Sequence, residues 1–283
     1  MAHLSTCKMS HLPTKIAILK SGLTHKGGIE KQTRCLATAF AKHGCDVTIL
    51  TSGNPTNDIN NDSYQTVSLA SKSKLSLAHI MRYNKACTQW LKDNPKDIIF
   101  GMDRNPYQTH YRAGNGVHRA YLKHRAMTDG WLRRASFLVN PLHRTILNLE
   151  RRCFECPELK TLFVNSQMIA DQVAEYYPQA AQKTRIIHNA VEWNAMADAF
   201  NLAHGKKALL CHERELNPDC LQLLFIGQGY RRKGLDFLLN GLAILSGHQI
   251  ELSVVGKDRE LKRYRQLTHE LGLSRCVHFF WSA

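Results

Sequence analysis

A short, largely apolar run, then a glycine-bearing polar turn, then a helix-period segment: this pattern occurs twice in the chain. The first instance is Ile16-Ala17-Ile18-Leu19, the turn from Ser21 to Gly28, and apolar positions at Ile29, Leu36, Ala37, Phe40 and Ala41. The second is Leu221-Gln222-Leu223-Leu224-Phe225-Ile226, the turn from Gly227 to Gly234, and a helix from about Leu235 to Leu245. A run without polar alternation is a strand buried on both faces, and such strands belong to parallel sheets whose crossovers are helices. The pattern restricts the chain to an α/β architecture, and its repetition calls for two doubly wound lobes.

The stretches between fill in that plan. Gly44 stops the first helix and Val47-Thr48-Ile49-Leu50 completes a βαβ unit. Val67-Ser68-Leu69, a helix over about Leu77 to Leu91 and Asp97-Ile98-Ile99-Phe100 give a second round. Tyr111 to Cys156 reads as helical and basic, after which Thr161 to Val164 and Arg185 to Ile187 return to strand character with a helix between them. Residues 192 to 220 read as a connector with one helical piece and a loop. The expected organisation is a frayed leader over 1–14, a first lobe over 15–190, and a connector with the first half of a second lobe over 191–283. That second lobe shows three strands and two helices, so it is expected to be incomplete, cut at its third strand. An unpaired parallel edge of this kind predicts poor solubility or dependence on a partner.

Charge narrows the ligand class. Lys and Arg number 38 against 23 Asp and Glu, a net charge of +15, so the surface attracts anions such as nucleic acid, acidic lipid or phosphorylated sugar. The excess concentrates between Arg112 and Arg152, where nine basic residues face only Asp129 and Glu150. Within that stretch Lys123, Arg125, Arg133 and Arg134 mix with Trp131, Leu132, Phe137 and Leu138. The blend fits a segment lying on an anionic membrane surface and fits equally a solvated helix packed on the sheet. No helix-turn-helix, RNP or OB pattern accompanies the charge, which sets nucleic acid aside as a partner.

The nine cysteines are odd in number and scattered, with no secretory leader before them, which points to a reduced cytosolic setting. No apolar run approaches the roughly 20 residues of a membrane span, so membrane contact is expected to be peripheral. No H-E-x-x-H occurs and Cys153-x-x-Cys156 lacks a second pair, so no metal site is expected.

Two loops carry the chemistry. Ser21 to Gly28 joins a buried strand to a helix N-terminus, where backbone N–H groups point outward with partial positive charge. Gly27 and Gly28 remove both Cβ atoms where an anion must approach the backbone, although the G-x-G-x-x-G fingerprint is absent. Alone, the loop reads as well as a flexible surface turn. Gly227-Gln228-Gly229-Tyr230-Arg231-Arg232-Lys233-Gly234 adds fixed cations to the same geometry and suits a diphosphate. Equivalent loops in two lobes suit a dianionic group held by both.

In order along the chain, five stretches then resemble one family. They are Gly27-Gly28-Ile29-Glu30, the run from Tyr111 through Asn115 and His118 to Leu122, Val164-Asn165-Ser166, Ile187 to Glu192, and Tyr230 to Gly234. Together they resemble the group 1 (family 4) retaining glycosyltransferases of the GT-B type, with two Rossmann-like lobes, and within them the lipopolysaccharide-core glucosyltransferases. The matched stretches span most of residues 15 to 281.

The resemblance implies a hexose moved with retention from a nucleotide sugar, expected to be a UDP-sugar, to a lipid-linked saccharide such as a lipopolysaccharide core, at the inner face of the cytoplasmic membrane and without a cofactor. It implies that Gly27 and Gly28 face the donor diphosphate, that Arg232 and Lys233 clamp it, and that Asn189 belongs to the donor site. His118 is placed near the transferring sugar or acceptor. Asn115, standing where related enzymes carry an acidic residue, is the second catalytic candidate. Lys123, Arg125, Trp131, Arg133 and Arg134 are the expected membrane and acceptor surface. Physical chemistry agrees on the cations: a departing nucleoside diphosphate gains charge in the transition state, and groups that hold it more tightly there lower the barrier. With no evident carboxylate nucleophile, front-face attack is expected, a donor phosphate oxygen taking the acceptor proton. The family's second lobe continues to a Glu-x7-Glu segment that contacts the donor, and Ala283 precedes it. The expectation is an incomplete donor site, and the alternative is an inactive remnant or an acceptor-lobe binding module.

Overall fold

The computed structural model describes residues 12–23, 27–53, 63–70, 76–128, 130 and 140–280. The chain divides into two compact units, Met1–Ala190 and Val191–Ala283.

The first unit is built on seven parallel strands: β1 (Lys15–Leu19), β2 (Asp46–Ser52), β3 (Gln65–Ala70), β4 (Ile98–Gly101), β5 (His110–Arg112), β6 (Thr161–Val164) and β7 (Thr184–Ile186). Their order is β3-β2-β1-β4-β5-β6-β7. The chain winds outward from β1 in one direction, returns to its other side at β4, and winds outward again. The crossovers are α1 (Gly28–Lys42), α2 (Ser76–Asp93), α3 (His118–Thr128) with α4 (Pro141–Phe154), and α5 (Gln167–Tyr176) with the single turn α6 (Pro178–Ala181).

The apolar run of β1 is explained by its place. Ile16, Ala17, Ile18 and Leu19 are at most 1% exposed. Ile16 and Ile18 pack with Ile49, Ala37 and Phe100 on the α1 face, while Ala17 and Leu19 pack with Leu50, Tyr83 and Ile99 on the α2 face. Each large side chain so buried contributes about 1.5–3 kcal/mol, and truncating Ile18 to Ala would cost about 2–5 kcal/mol. A third cluster, centred on Tyr111, Leu162, Phe154 and Tyr177, joins β5 and β6 to α4 and α5. Helix boundaries follow local chemistry: α4 opens on Asn140, whose Oδ1 accepts the Leu142 N–H at 2.9 Å, with Pro141 as its first residue. Gly44, at φ 80°, turns the chain after α1.

The second unit holds a three-stranded parallel sheet, β8 (Leu221–Ile226), β9 (Ile250–Val255) and β10 (Val277–Phe280), in the order β10-β9-β8. Helices α9 (Leu235–Ile244) and α10 (Leu261–Glu270) cover one face through Leu235, Leu239, Tyr264, Leu252 and Val254. On β8, Leu224 and Ile226 remain more than 60% exposed.

Two expectations are corrected. The stretch from Tyr111 to Cys156 is not helical throughout, because it opens inside β5. Three residues with one buried side chain, Tyr111, leave no readable strand period. The connector over 192 to 220 carries two helices, α7 (Trp193–His204) and α8 (Lys207–Glu213), separated at Gly205. None of the α7 residues is buried and Trp193 is 75% exposed, so there was no buried stripe to betray a helix. Among the described residues no helix is long and apolar enough to cross a membrane.

Candidate functional site

In a doubly wound sheet, ligands bind outside the carboxyl ends of the strands where the winding reverses. Here that point lies between β1 and β4. The Met102 N–H bonds to the Leu19 carbonyl at 2.9 Å, which brings the residues after both strands together. The Asp103 carboxylate accepts the Ser21 N–H at 2.7 Å and the Lys20 Nζ at 3.3 Å. Lys20 is itself nearly buried and lies 3.7 Å from Glu30.

Beside this junction is a cavity of about 170 Å³ whose polar wall is Ser21, Asn84, Asp103, Arg104 and Asn115. Asn84 spends its amide N–H on the Ile80 carbonyl at 2.9 Å, leaving its buried Oδ1 with no hydrogen-bond partner. The buried Nε of Arg104 is likewise unpartnered. An unmade hydrogen bond on a buried polar atom costs about 1–3 kcal/mol. The cavity wall itself, with Ser21, Asp103 and Asn115 beside Asn84 and Arg104, offers both donors and acceptors of the kind a hydroxyl-bearing ligand uses.

Arg104 also fixes the next element. Its Nη2 donates to Glu150 Oε2 at 3.0 Å and to the Gly116 carbonyl at 3.2 Å. Glu150 reaches from α4, has a fully buried side chain, and accepts the N–H of His118, the N–H of Arg119 at 3.1 Å and the Tyr177 hydroxyl at 3.1 Å. A carboxylate from a neighbouring helix thus caps the N-terminus of α3, where unpaired N–H groups and the helix dipole favour negative charge. His118 is the first residue of α3. Its Nε2 lies 3.1 Å from the His143 Nδ1, and the two rings stack at 5.2 Å. Burial first, and then the Arg104 charge, push the imidazole down to about 4. It is neutral near pH 7.

Gly27 is the N-cap of α1 at φ 142°, with no side chain capping the helix. A Cβ on Gly27 would lie 2.0 Å from Glu30 Oε2, whereas one on Gly28 would meet nothing within 4 Å. The glycine requirement therefore falls on Gly27, and the Glu30 carboxylate folds back over the helix start. Thr24 to Lys26 lie outside the described residues. Asn189 follows β7, and its Oδ1 accepts from Arg112 Nη2 at 3.0 Å and from Gln32 Nε2 at 3.5 Å.

In the second unit the turn after β8 is tightly built. Gly227, at φ 150°, bonds its N–H to the Val255 carbonyl at 2.9 Å. Lys233 curls over it and donates from Nζ to the Ile226 carbonyl at 3.1 Å, and Arg232 donates to the Gln228 carbonyl at 3.4 Å. Asp258 accepts the Tyr230 N–H at 2.8 Å, and the Tyr230 hydroxyl donates to the Gly256 carbonyl at 2.7 Å. The turn leaves both cations at the surface, close to the start of α9, whose N-cap Gly234 offers no side-chain cap.

The basic stretch separates into described and undescribed parts. Lys123 pairs with Glu175 at 2.9 Å and lies over the Tyr176 ring. Arg125 donates to the Tyr121 hydroxyl at 2.9 Å. Trp131, Arg133 and Arg134 lie outside the described residues. Cys153 is packed in the core, its thiol pushed up to about 12 by burial.

Sequence reasoning missed Asn84, Asp103, Arg104 and Glu150. Asp103 had a signal, since it follows a buried strand by two residues. The other three had none, because their roles depend on α2, β4 and α4 meeting around one cavity.

The comparisons with known proteins agree with this architecture. Among solved structures the chain is similar to WaaG, a glycosyltransferase involved in lipopolysaccharide biosynthesis, at 19% identity and a TM-score of 0.70, over 95% of this chain and 70% of that one. A glycosyltransferase from Rickettsia africae is similar at 15% identity and a TM-score of 0.66, over 96% of this chain and 69% of that one. HepE from Anabaena, solved in complex with UDP-glucose, is similar at 16% identity and 0.57, over 95% of this chain and 69% of that one. No curated protein matches the sequence. The likenesses give the fold, parallel α/β of the GT-B type. The model of Glycosyltransferase Family 4 matches residues 26–193, more than half of the chain, and the chain therefore belongs to that family.

Proposed function

We propose that this protein transfers a hexose, with retention, from a UDP-sugar to a hydroxyl of a lipid-linked saccharide such as a lipopolysaccharide core, working at the inner face of the cytoplasmic membrane. The observation that carries the reading is the Glycosyltransferase Family 4 match over residues 26–193, together with a 170 Å³ cavity at the sheet's winding reversal walled by Ser21, Asn84, Asp103, Arg104 and Asn115. That wall suits the hydroxyls of a saccharide. The family membership supplies the reaction class. HepE, with its bound UDP-glucose, and WaaG, with its role in lipopolysaccharide biosynthesis, support the donor and acceptor classes.

In this reading Gly27, Gly28 and Asn189 border the donor, while Arg232 and Lys233 hold the departing diphosphate as its charge grows. His118, neutral at working pH, is a poor proton acceptor but a good hydrogen-bond partner for a sugar hydroxyl. A donor phosphate oxygen then takes the acceptor proton, and Asn115 orients the saccharide from the cavity wall. The surface around Lys123, Arg125, Trp131, Arg133 and Arg134 faces anionic lipid.

The test is release of UDP from UDP-glucose and UDP-galactose, with and without a core-oligosaccharide lipid acceptor. Acceptor-stimulated release that Lys233→Ala lowers at least tenfold is the expected result. No release from either donor, with acceptor binding intact, would overturn the reading in favour of a binding module that retains the acceptor lobe alone.

A further inference from the structure

The larger cavity of the first unit is not the one at the winding reversal. It lies on the α1 face of the sheet and measures about 500 Å³, within the roughly 300–1,000 Å³ of small-molecule sites. Its polarity is graded. Helix α1 runs opposite to the strands it packs on, so Gln32 is level with their carboxyl ends and Phe40 with their beginnings. The carboxyl ends bring Arg112, Asn165, His188 and Asn189 to the level of Gln32, while the side chains of Leu36, Phe40, Phe100 and Phe163 lie deeper along the walls. The result is a slot with a polar mouth and an apolar depth.

Arg112 is the charged group at that mouth. It is half-buried, and its guanidinium folds over Gly114, where a Cβ would come within 2.1 Å of Nη1. Its Nη2 is held by Asn189 at 3.0 Å. Among the described residues no carboxylate lies within ion-pair distance of it. A guanidinium stays charged at any physiological pH. A positioned cation without a counter-ion calls for an anion, and the walls below it call for hydrocarbon. A nucleobase would leave its ring acceptors unpaired against Leu36, Phe40 and Phe100.

We propose that this slot binds a single-chain anionic amphiphile, with its carboxylate or phosphate head on Arg112 beside Asn189 and its chain between α1 and strands β4 to β6. The proposal does not rest on sugar transfer, but it shares Asn189 with the donor reading above, so donor and amphiphile would exclude one another there.

Cys35 lines the slot and is exposed, which supplies a local reporter. In the full chain, N-ethylmaleimide labelling of Cys35 is followed by peptide mass spectrometry against added laurate, dodecyl phosphate or neutral dodecyl maltoside, each below its micelle concentration. Laurate or dodecyl phosphate should slow labelling of Cys35 at least fivefold while leaving Cys45 and Cys220 unchanged, and the better of the two identifies the head group. Affinity should rise about three- to fourfold per methylene from eight to twelve carbons. The neutral chain should bind about tenfold more weakly, and Arg112→Gln should erase that difference while the protein still melts cooperatively. Equal protection by anionic and neutral chains, equal protection of all three cysteines, or an anion preference that survives Arg112→Gln would each overturn the proposal. The readout is independent of UDP release, so failure of one leaves the other standing.

Discussion

Arg104 and Glu150 meet at 3.0 Å with the carboxylate wholly buried, and through that pair β4 is tied to the first turn of α3. Removing one partner of a buried pair leaves an uncompensated charge, so Glu150→Ala should destabilise the first unit by about 3–5 kcal/mol. The double variant Arg104→Met with Glu150→Leu should lose less than the sum of its singles. Denaturant unfolding followed by circular dichroism measures both; additive losses would mean that the pair is not coupled.

His118 gives the protein a pH signature. It titrates at about 4 in the folded chain and at about 6.5 when unfolded. Between those values the unfolded chain holds more protons, so the contribution of His118 is complete above about pH 6.5 and is lost as the pH falls toward 4. His110, lowered by burial and by Lys160, acts in the same direction. His118→Gln should therefore flatten the fall of Tm between pH 6.5 and 4.5 without abolishing it. An unchanged slope would mean that His118 is not the buried neutral group described.

The two glycines at the start of α1 should behave differently. Gly27→Ala forces a side chain onto φ 142° and against Glu30, which should cost about 1–3 kcal/mol. Gly28→Ala has open space and should change stability by less than about 1 kcal/mol. If a diphosphate lies on that backbone, both substitutions weaken UDP-sugar binding. Calorimetry beside thermal melts separates the two effects, and a Gly28→Ala protein with unaltered donor affinity would remove Gly28 from the donor site.

Gly256 is the strictest position in the second unit. A Cβ there would lie 2.3 Å from the Gly227 carbonyl oxygen, a backbone atom that cannot swing aside. Gly256→Ala should cost about 3 kcal/mol or more, against little change for Gly247→Ala, which meets nothing within 4 Å. Limited proteolysis of residues 191–283 reads the difference.

The long buried strands were legible from composition alone. Ile16 to Leu19 and Val47 to Leu50 each announce a strand because both of their faces meet helices or other apolar surface, whereas Leu221 to Ile226 marks the strand but not its burial, since Leu224 and Ile226 stay more than 60% exposed. β5 was not legible, since one buried Tyr111 between His110 and Arg112 makes no period. At the site, the glycine turns and basic residues could be read from local spacing. Glu150 could not: in sequence it is a lone acid amid arginines, and only the packing of α4 against α3 turns it into a helix cap. Arg104 and Asn84 are similar, two polar residues that come to line one cavity only when α2 and the segment after β4 pack together. Charge count placed Lys123 on a membrane surface without revealing that Glu175 already pairs with it.

The central position of β1 also sets a timetable. Of the seven strands of its sheet it is made before the others, yet one flank waits for β2 and the other for β4, whose approach is marked by the Lys15 N–H on Asp97, 82 residues later. Closing so long a loop comes before any reward from the contacts it permits. This apolar strand is thus made before its two neighbours in the sheet and sheltered only with the second of them, and a nascent chain must keep Ile16 to Leu19 from other partners until β4 has emerged.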